Sequence, residues 1–172
     1  MCVLMKKCRL VYIVLSLSVI ALLASCDDSV LSRLSDVEAF IDDRPDSALV
    51  VLESIPHTEL TTRRSRAKYA LLKSIALDKN YIDVTSDSII APAVSYYRHH
   101  GSADEKLKTF YYRGIVSFYS NDYDAAMEWF VKGNQFSDEA EDIRQSALLC
   151  FNRHDSRAII EKDREYAPPR SQ

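Results

Sequence analysis

The chain has 172 residues, 47% hydrophobic and 27% charged, enough for one domain with its own core and too apolar for a disordered tract. Three glycines and five prolines are too few for the many turns of an all-β chain. The net charge of −3 hides an asymmetry: Lys6, Lys7 and Arg9 are the only charged residues before Cys26. Without them 19 basic residues face 25 acidic ones, a balance of −6 that argues against a nucleic-acid partner.

The amino-terminal stretch reads as an export signal. Lys6, Lys7 and Arg9 form a positive segment, Leu10 to Leu23 an apolar run of 14 residues, and small Ala24 and Ser25 precede Cys26. A membrane-crossing helix needs roughly 20 apolar residues, so the run is short for a span. The ending Leu23-Ala24-Ser25-Cys26 resembles the lipobox of bacterial lipoproteins at each of its positions. That resemblance implies that Cys26 receives diacylglycerol through its sulfur, that residues 1–25 are cut away, and that an acylated Cys26 becomes the new terminus. Acyl chains buried at about 0.8 kcal/mol per CH₂ make such an anchor effectively permanent. The expected location is the cell envelope, tethered to a membrane and facing the periplasm or the exterior. Asp27 and Asp28 resemble lipoprotein sorting signals of two conflicting kinds, which leaves inner and outer membrane both open. Met5-Lys6-Lys7 also reads as a natural start. Cys2 and Cys8 leave with the signal and Cys150 remains alone, so no disulfide framework is expected.

Beyond Asp28 the pattern is helical. Val30, Leu31, Leu34, Val37, Phe40 and Ile41 recur every three or four positions, and Pro45 ends that run. DSALVVLESI predicts a short helix with Ala48, Leu49, Leu52 and Ile55 inward and Pro56 as its stop. A longer helix is predicted from about Leu60 to Lys79, with Tyr69, Leu72, Ile75 and Ala76 as its apolar stripe. After the loop NYIDVTSDS, Ser86 or Ser88 is expected to cap a helix beginning near Ala91, with Pro92 in its first turn and His99 and His100 in its last. Gly101 supplies a left-handed stop. Ser102-Ala103-Asp104-Glu105 is a capping box, followed by Leu107, Phe110, Tyr111, Gly114, Ile115 and Phe118 at helical spacing. A turn at Ser120-Asn121-Asp122 leads to a helix carrying Tyr123, Ala126, Met127, Phe130 and Gly133, and Ser137 is placed to cap another. From Asn152 the periodicity fades, and residues 153–172 read as a weakly ordered tail.

Helix pairs with short turns suggest a repeat. Residues 110–133, FYYRGIVSFYSNDYDAAMEWFVKG, resemble a tetratricopeptide repeat: Phe110 and Gly114 match its first helix, Asp122 and Tyr123 its turn, Ala126 and Phe130 its second helix, with Gly133 in place of alanine. Arg113, Ser117 and Asp138 depart from the pattern. RPDSALVVLESI resembles the second half of another unit, and Ala48 and Ala126 lie 78 positions apart, about ten more than two units of roughly 34. The lipobox with RPDSAL, RAKYALL, ALDKNYID and DSIIAPAVSYY resembles tetratricopeptide lipoproteins of gut-type Gram-negative bacteria, as a short or truncated form. The resemblance implies an all-α, right-handed solenoid of helical hairpins over residues 26–152. It also implies a groove lined by Lys108, Tyr111, Ile115, Phe118 and Tyr119, able to take a protein or peptide partner.

Signals for chemistry are sparse. His57, His99, His100 and His154 include no pair at the i, i+4 spacing of a helical zinc site, so neither metal nor cofactor is expected. The chain has no G-x-S-x-G elbow and no glycine-rich phosphate loop. The cluster Arg63-Arg64-Ser65-Arg66 reads first as a solvated helix start and second as a contact for phosphate or lipid headgroups. The expectation is a non-catalytic, membrane-anchored interaction scaffold. Two other readings stand beside it, the sensory half of a truncated signalling protein and a carbohydrate-capture lipoprotein.

Overall fold

A computed structural model describes residues 29–141, and every regular element within them is helical. Cys26, expected to be lipidated, the expected signal over residues 1–25, Cys150, His154 and the expected tail lie outside the described residues, as does most of the helix expected after Ser137. Residues 29–40 form α1, followed by α2 (Pro45–Glu53), a 3-10 turn (His57–Glu59), α3 (Arg63–Lys79), α4 (Ala91–Tyr97), α5 (Ala103–Tyr119) and α6 (Tyr123–Asn134). None of these is long and apolar enough to cross a membrane.

The apolar stripe of α1 buries Val30, Leu34, Val37 and Ile41 and leaves Leu31 and Phe40 half-buried. Pro45 opens α2 as well as ending the preceding helix, because its fixed φ and missing N–H suit a first turn. Ala48 and Leu52 are fully buried on the inner face of α2. The long third helix starts later than its apolar pattern suggests. Pro56 is followed by the 3-10 turn, and Thr62 caps α3: the Ser65 N–H donates to Thr62 Oγ1 at 3.1 Å and the Thr62 N–H donates to Ser65 Oγ at 3.2 Å. This is a capping box with serine where glutamate or glutamine is usual.

Ser86 and Ser88 do not cap α4. The Ser88 N–H donates to Ser86 Oγ at 3.4 Å in a local serine turn, and Ile90 at the cap position has helical backbone. Pro92 sits in the first turn as expected. The helix ends at Tyr97, so His99 and His100 follow its last turn. Even so, His100 Nδ1 lies 2.9 Å from the Tyr96 carbonyl oxygen and its ring stacks on Tyr96. Gly101 takes φ +84°, the left-handed stop. At Ser102 both halves of the capping box form: the Glu105 N–H donates to Ser102 Oγ at 3.2 Å, and the Ser102 N–H donates to Glu105 Oε2 at 2.8 Å. Asn121 at φ 62° makes the tight turn, and Asp122 caps α6 by accepting the Ala125 N–H at 3.1 Å.

Cross-helix bonds fix the directions. Arg33 pairs with Glu59, Lys68 with Glu38 and Lys79 with Asp42, so α1 and α3 run the same way. Tyr119 Oη donates to Asp78 Oδ1 at 3.2 Å, which aligns the carboxyl ends of α3 and α5. Each of α2 to α6 packs on its neighbour in sequence, and α5 also lies beside α3. One apolar core runs from Val30 through Tyr97 to Phe130. Since α3 is flanked by α1, α2, α4 and α5, it is buried on far more than the expected stripe, including Ala67, Ala70, Leu71 and Leu77. Alanine on two sides of it lets those neighbours approach.

Candidate interaction surfaces

The parallel helices α3 and α5 form the layer on which a groove was expected. Its side chains divide into two groups. Tyr111 and Ile115 are only 5% and 9% exposed, Tyr111 edge-on to Tyr112 and tilted over Phe130, so both serve the core and offer little surface to a partner. Their helix face is covered because α5 is packed by α3, α4 and α6 together. Lys108, Phe118 and Tyr119 are half-exposed, with Phe118 edge-on to both Tyr119 and Tyr123.

The residues of the repeat motif meet closely. Phe130 and Ala126 are fully buried, Gly133 is buried, and Phe110 stacks on Trp129 and on Phe136, each at 5.9 Å. A Cβ on Gly114 would lie 2.3 Å from Phe130 Cε1 and 2.5 Å from Cδ1, so α5 requires glycine where the ring of α6 crosses it.

One polar pair inside this layer has no counterpart in the sequence motifs. Asp78 on α3 receives the Tyr119 hydroxyl of α5, 41 positions away. Burial raises the Asp78 carboxyl above its ordinary range, with the Tyr119 hydrogen bond and Lys79 pulling the other way. Burial, and then the Asp78 charge, push Tyr119 up to about 12. The recess beside the pair, lined by Ser74, Ile82, Val84 and Tyr112, encloses about 10 Å³, room for about one water and not for a substrate. Spacing within one helix could not have revealed a pair split between two.

Wider, shallower clefts border α4. One of about 300 Å³ lies between α3 and the start of α4, lined by His57, Leu60, Arg66, Tyr69, Lys73 and Pro92. Another of about 440 Å³ continues past Arg63, Arg66, Ser95, Tyr96 and His100. A third, of about 470 Å³, joins Asp87, Arg98 and His99 to Arg113 and Trp129. The Trp129 ring is engaged within the fold: Phe110 stacks on it, Arg113 lies 5.3 Å and Lys132 4.2 Å from its centre. Among the described residues no group of three or more His, Cys, Asp or Glu side chains converges. Comparison with protein-family models, with curated proteins and with solved structures finds no match to this chain.

Proposed function

We propose that the chain is a lipid-anchored scaffold of tetratricopeptide-like helical hairpins that holds a protein partner at a membrane without catalysis. The carrying observation is the packing order. Helices α2 to α6 each rest on their sequence neighbour while α3 and α5, one hairpin apart, lie side by side in the same direction. A right-handed solenoid repeats that relation from unit to unit, and its first helices line the inner surface. Gly114 beneath Phe130 supports the reading, since close crossing within a pair is what the motif's small residues permit. Half-exposed Lys108, Phe118 and Tyr119 form the contact surface in this reading, because large rigid side chains bury area at low entropic cost. Shallow clefts and a water-sized recess suit a macromolecular contact better than a small substrate.

Two measurements test this. Cys26→Ala should abolish incorporation of labelled palmitate and leave an unprocessed or soluble species; labelling that persists in the variant refutes the anchor. A photo-cross-linker placed at Tyr119 in native membranes should give a discrete protein adduct, while one at exposed Val50 on α2 gives none. Equal yields at both positions would refute the groove.

A further inference from the structure

Parallel packing gathers exposed arginines at one end of the domain. The first turns of α3 and α5 lie at the same end as the start of α1, because the three helices run the same way. Helix α4 runs back toward it, since Tyr96 and His100 border the cleft that also holds Arg63 and Arg66. That end therefore presents Arg63, Arg64, Arg66 and Arg98, all exposed, together with His99 and His100. Among the described residues none of the four guanidinium groups has a hydrogen bond, ion pair or ring partner. The acids at this end are Glu59, held by Arg33 at 2.8 Å, Asp104 and Glu105 in the first turn of α5, and Asp138, Glu139 and Glu141 after α6, where Phe136 lies beside Lys106 and Phe110. The opposite end carries Asp42, Asp43, Asp46, Asp78, Asp83 and Asp122.

The first turn of α3 contains no acid and three arginines, against the partial positive charge of a helix amino terminus. This arrangement costs stability locally unless anions lie nearby. The length of chain before α1 says which anions those are. Cys26 precedes residue 29 by three positions, a reach of about 10 Å even fully extended. Residue 29 itself is one turn before Arg33, whose partner Glu59 sits four positions ahead of Arg63. A lipid on Cys26 would thus hold the basic end, and not the acidic one, against the bilayer.

We propose that Arg63, Arg64, Arg66 and Arg98 form a membrane-facing surface that binds the phosphates of anionic lipid headgroups and sets the domain upright on its anchor. The assignment rests on the lipid-anchor reading of Cys26. A guanidinium near an anionic surface gains about fivefold in local binding, and the gain is lost at high salt. With the acidic end turned away, the groove helices stand along the membrane normal.

The test uses the full acylated chain, purified from membranes and reconstituted into vesicles of phosphatidylcholine with or without phosphatidylglycerol. The rate at which phenylglyoxal modifies each arginine is read by peptide mass spectrometry. Arg63, Arg64, Arg66 and Arg98 should react about fivefold more slowly in the anionic vesicles and recover at molar salt, while exposed Arg44 at the far end reacts at an unchanged rate. Equal rates in the two vesicle types, or protection of Arg44 instead, overturn the proposal while leaving the anchor intact. Protection by inorganic phosphate in neutral vesicles to the same extent assigns the arginines to a free anion and overturns the membrane assignment. A chain whose Cys26 carries no acyl mass overturns the anchor reading, and this surface with it.

Discussion

Gly114→Ala is the most direct perturbation of the helix crossing on which the fold depends. The new methyl would meet Phe130 at 2.3, 2.5 and 2.9 Å, against an ordinary carbon contact near 3.5 Å or more, and the ring has no exposed side toward which to move. Overpacking of this kind costs about 1–3 kcal/mol, and contacts this short place it near the upper figure. Alanine recovers about 1 kcal/mol of helix propensity over glycine, so the net loss should be about 2 kcal/mol. Phe130→Ala alone should cost about 3–5 kcal/mol as a cavity. The double variant separates the causes. Without the ring, Gly114→Ala should become neutral or stabilising by up to about 1 kcal/mol. Urea unfolding of the full chain in mild detergent, followed by circular dichroism at constant slope, measures all four species. If Gly114→Ala stabilises the otherwise unchanged protein, or costs as much without Phe130 as with it, the close crossing is not what requires glycine.

Two further outcomes follow from buried polar groups. Thr109 is fully buried on α5 and its hydroxyl has no hydrogen-bond partner among the described residues, so Thr109→Val should raise stability by about 1 kcal/mol in the same unfolding assay; a loss of that size would mean the hydroxyl is satisfied. Asp78 has a raised folded-state pKa, so the folded protein holds its proton more tightly than the unfolded chain. Its stabilising contribution is present below the unfolded value of 3.8 and is lost as pH rises through the folded one. Asp78→Asn, which keeps an oxygen for the Tyr119 hydroxyl, should therefore stabilise at pH 7 and lose that advantage near pH 3. An advantage that does not vary with pH would contradict the burial argument.

Local rules carried much of the fold. The capping box at Ser102, the left-handed Gly101, the first-turn Pro92 and the buried positions of α1, α2 and α6 all follow from local spacing, whereas α5 also buries Thr109, Tyr112, Val116 and Ser117, which its expected stripe left out. Helix ends were read less well where a weaker local motif competed. Thr62 with Ser65 moved the start of α3 past Leu60, and the Ser86 turn removed the expected cap of α4. What α3 touches could not be read from its stripe, because a helix flanked by four others buries small and polar residues that no single apolar face predicts.

Interaction surfaces were legible only in part, for the same reason. Resemblance to the repeat's groove positions drew attention to Tyr111 and Ile115, but only the placement of α4 and α6 around α5 determined that both are core, while Tyr119 keeps an open edge and a partner on α3. The sequence by itself determined most helices and caps, since each is set by neighbours in the chain, whereas the need for glycine at position 114 comes from Phe130 on another helix. Tertiary structure alone decided the Asp78–Tyr119 pair and which end of the domain the Arg63–Arg66 cluster shares with Arg98. Those depend on the direction in which helices far apart in sequence lie against one another, and helical spacing carries no information about that direction.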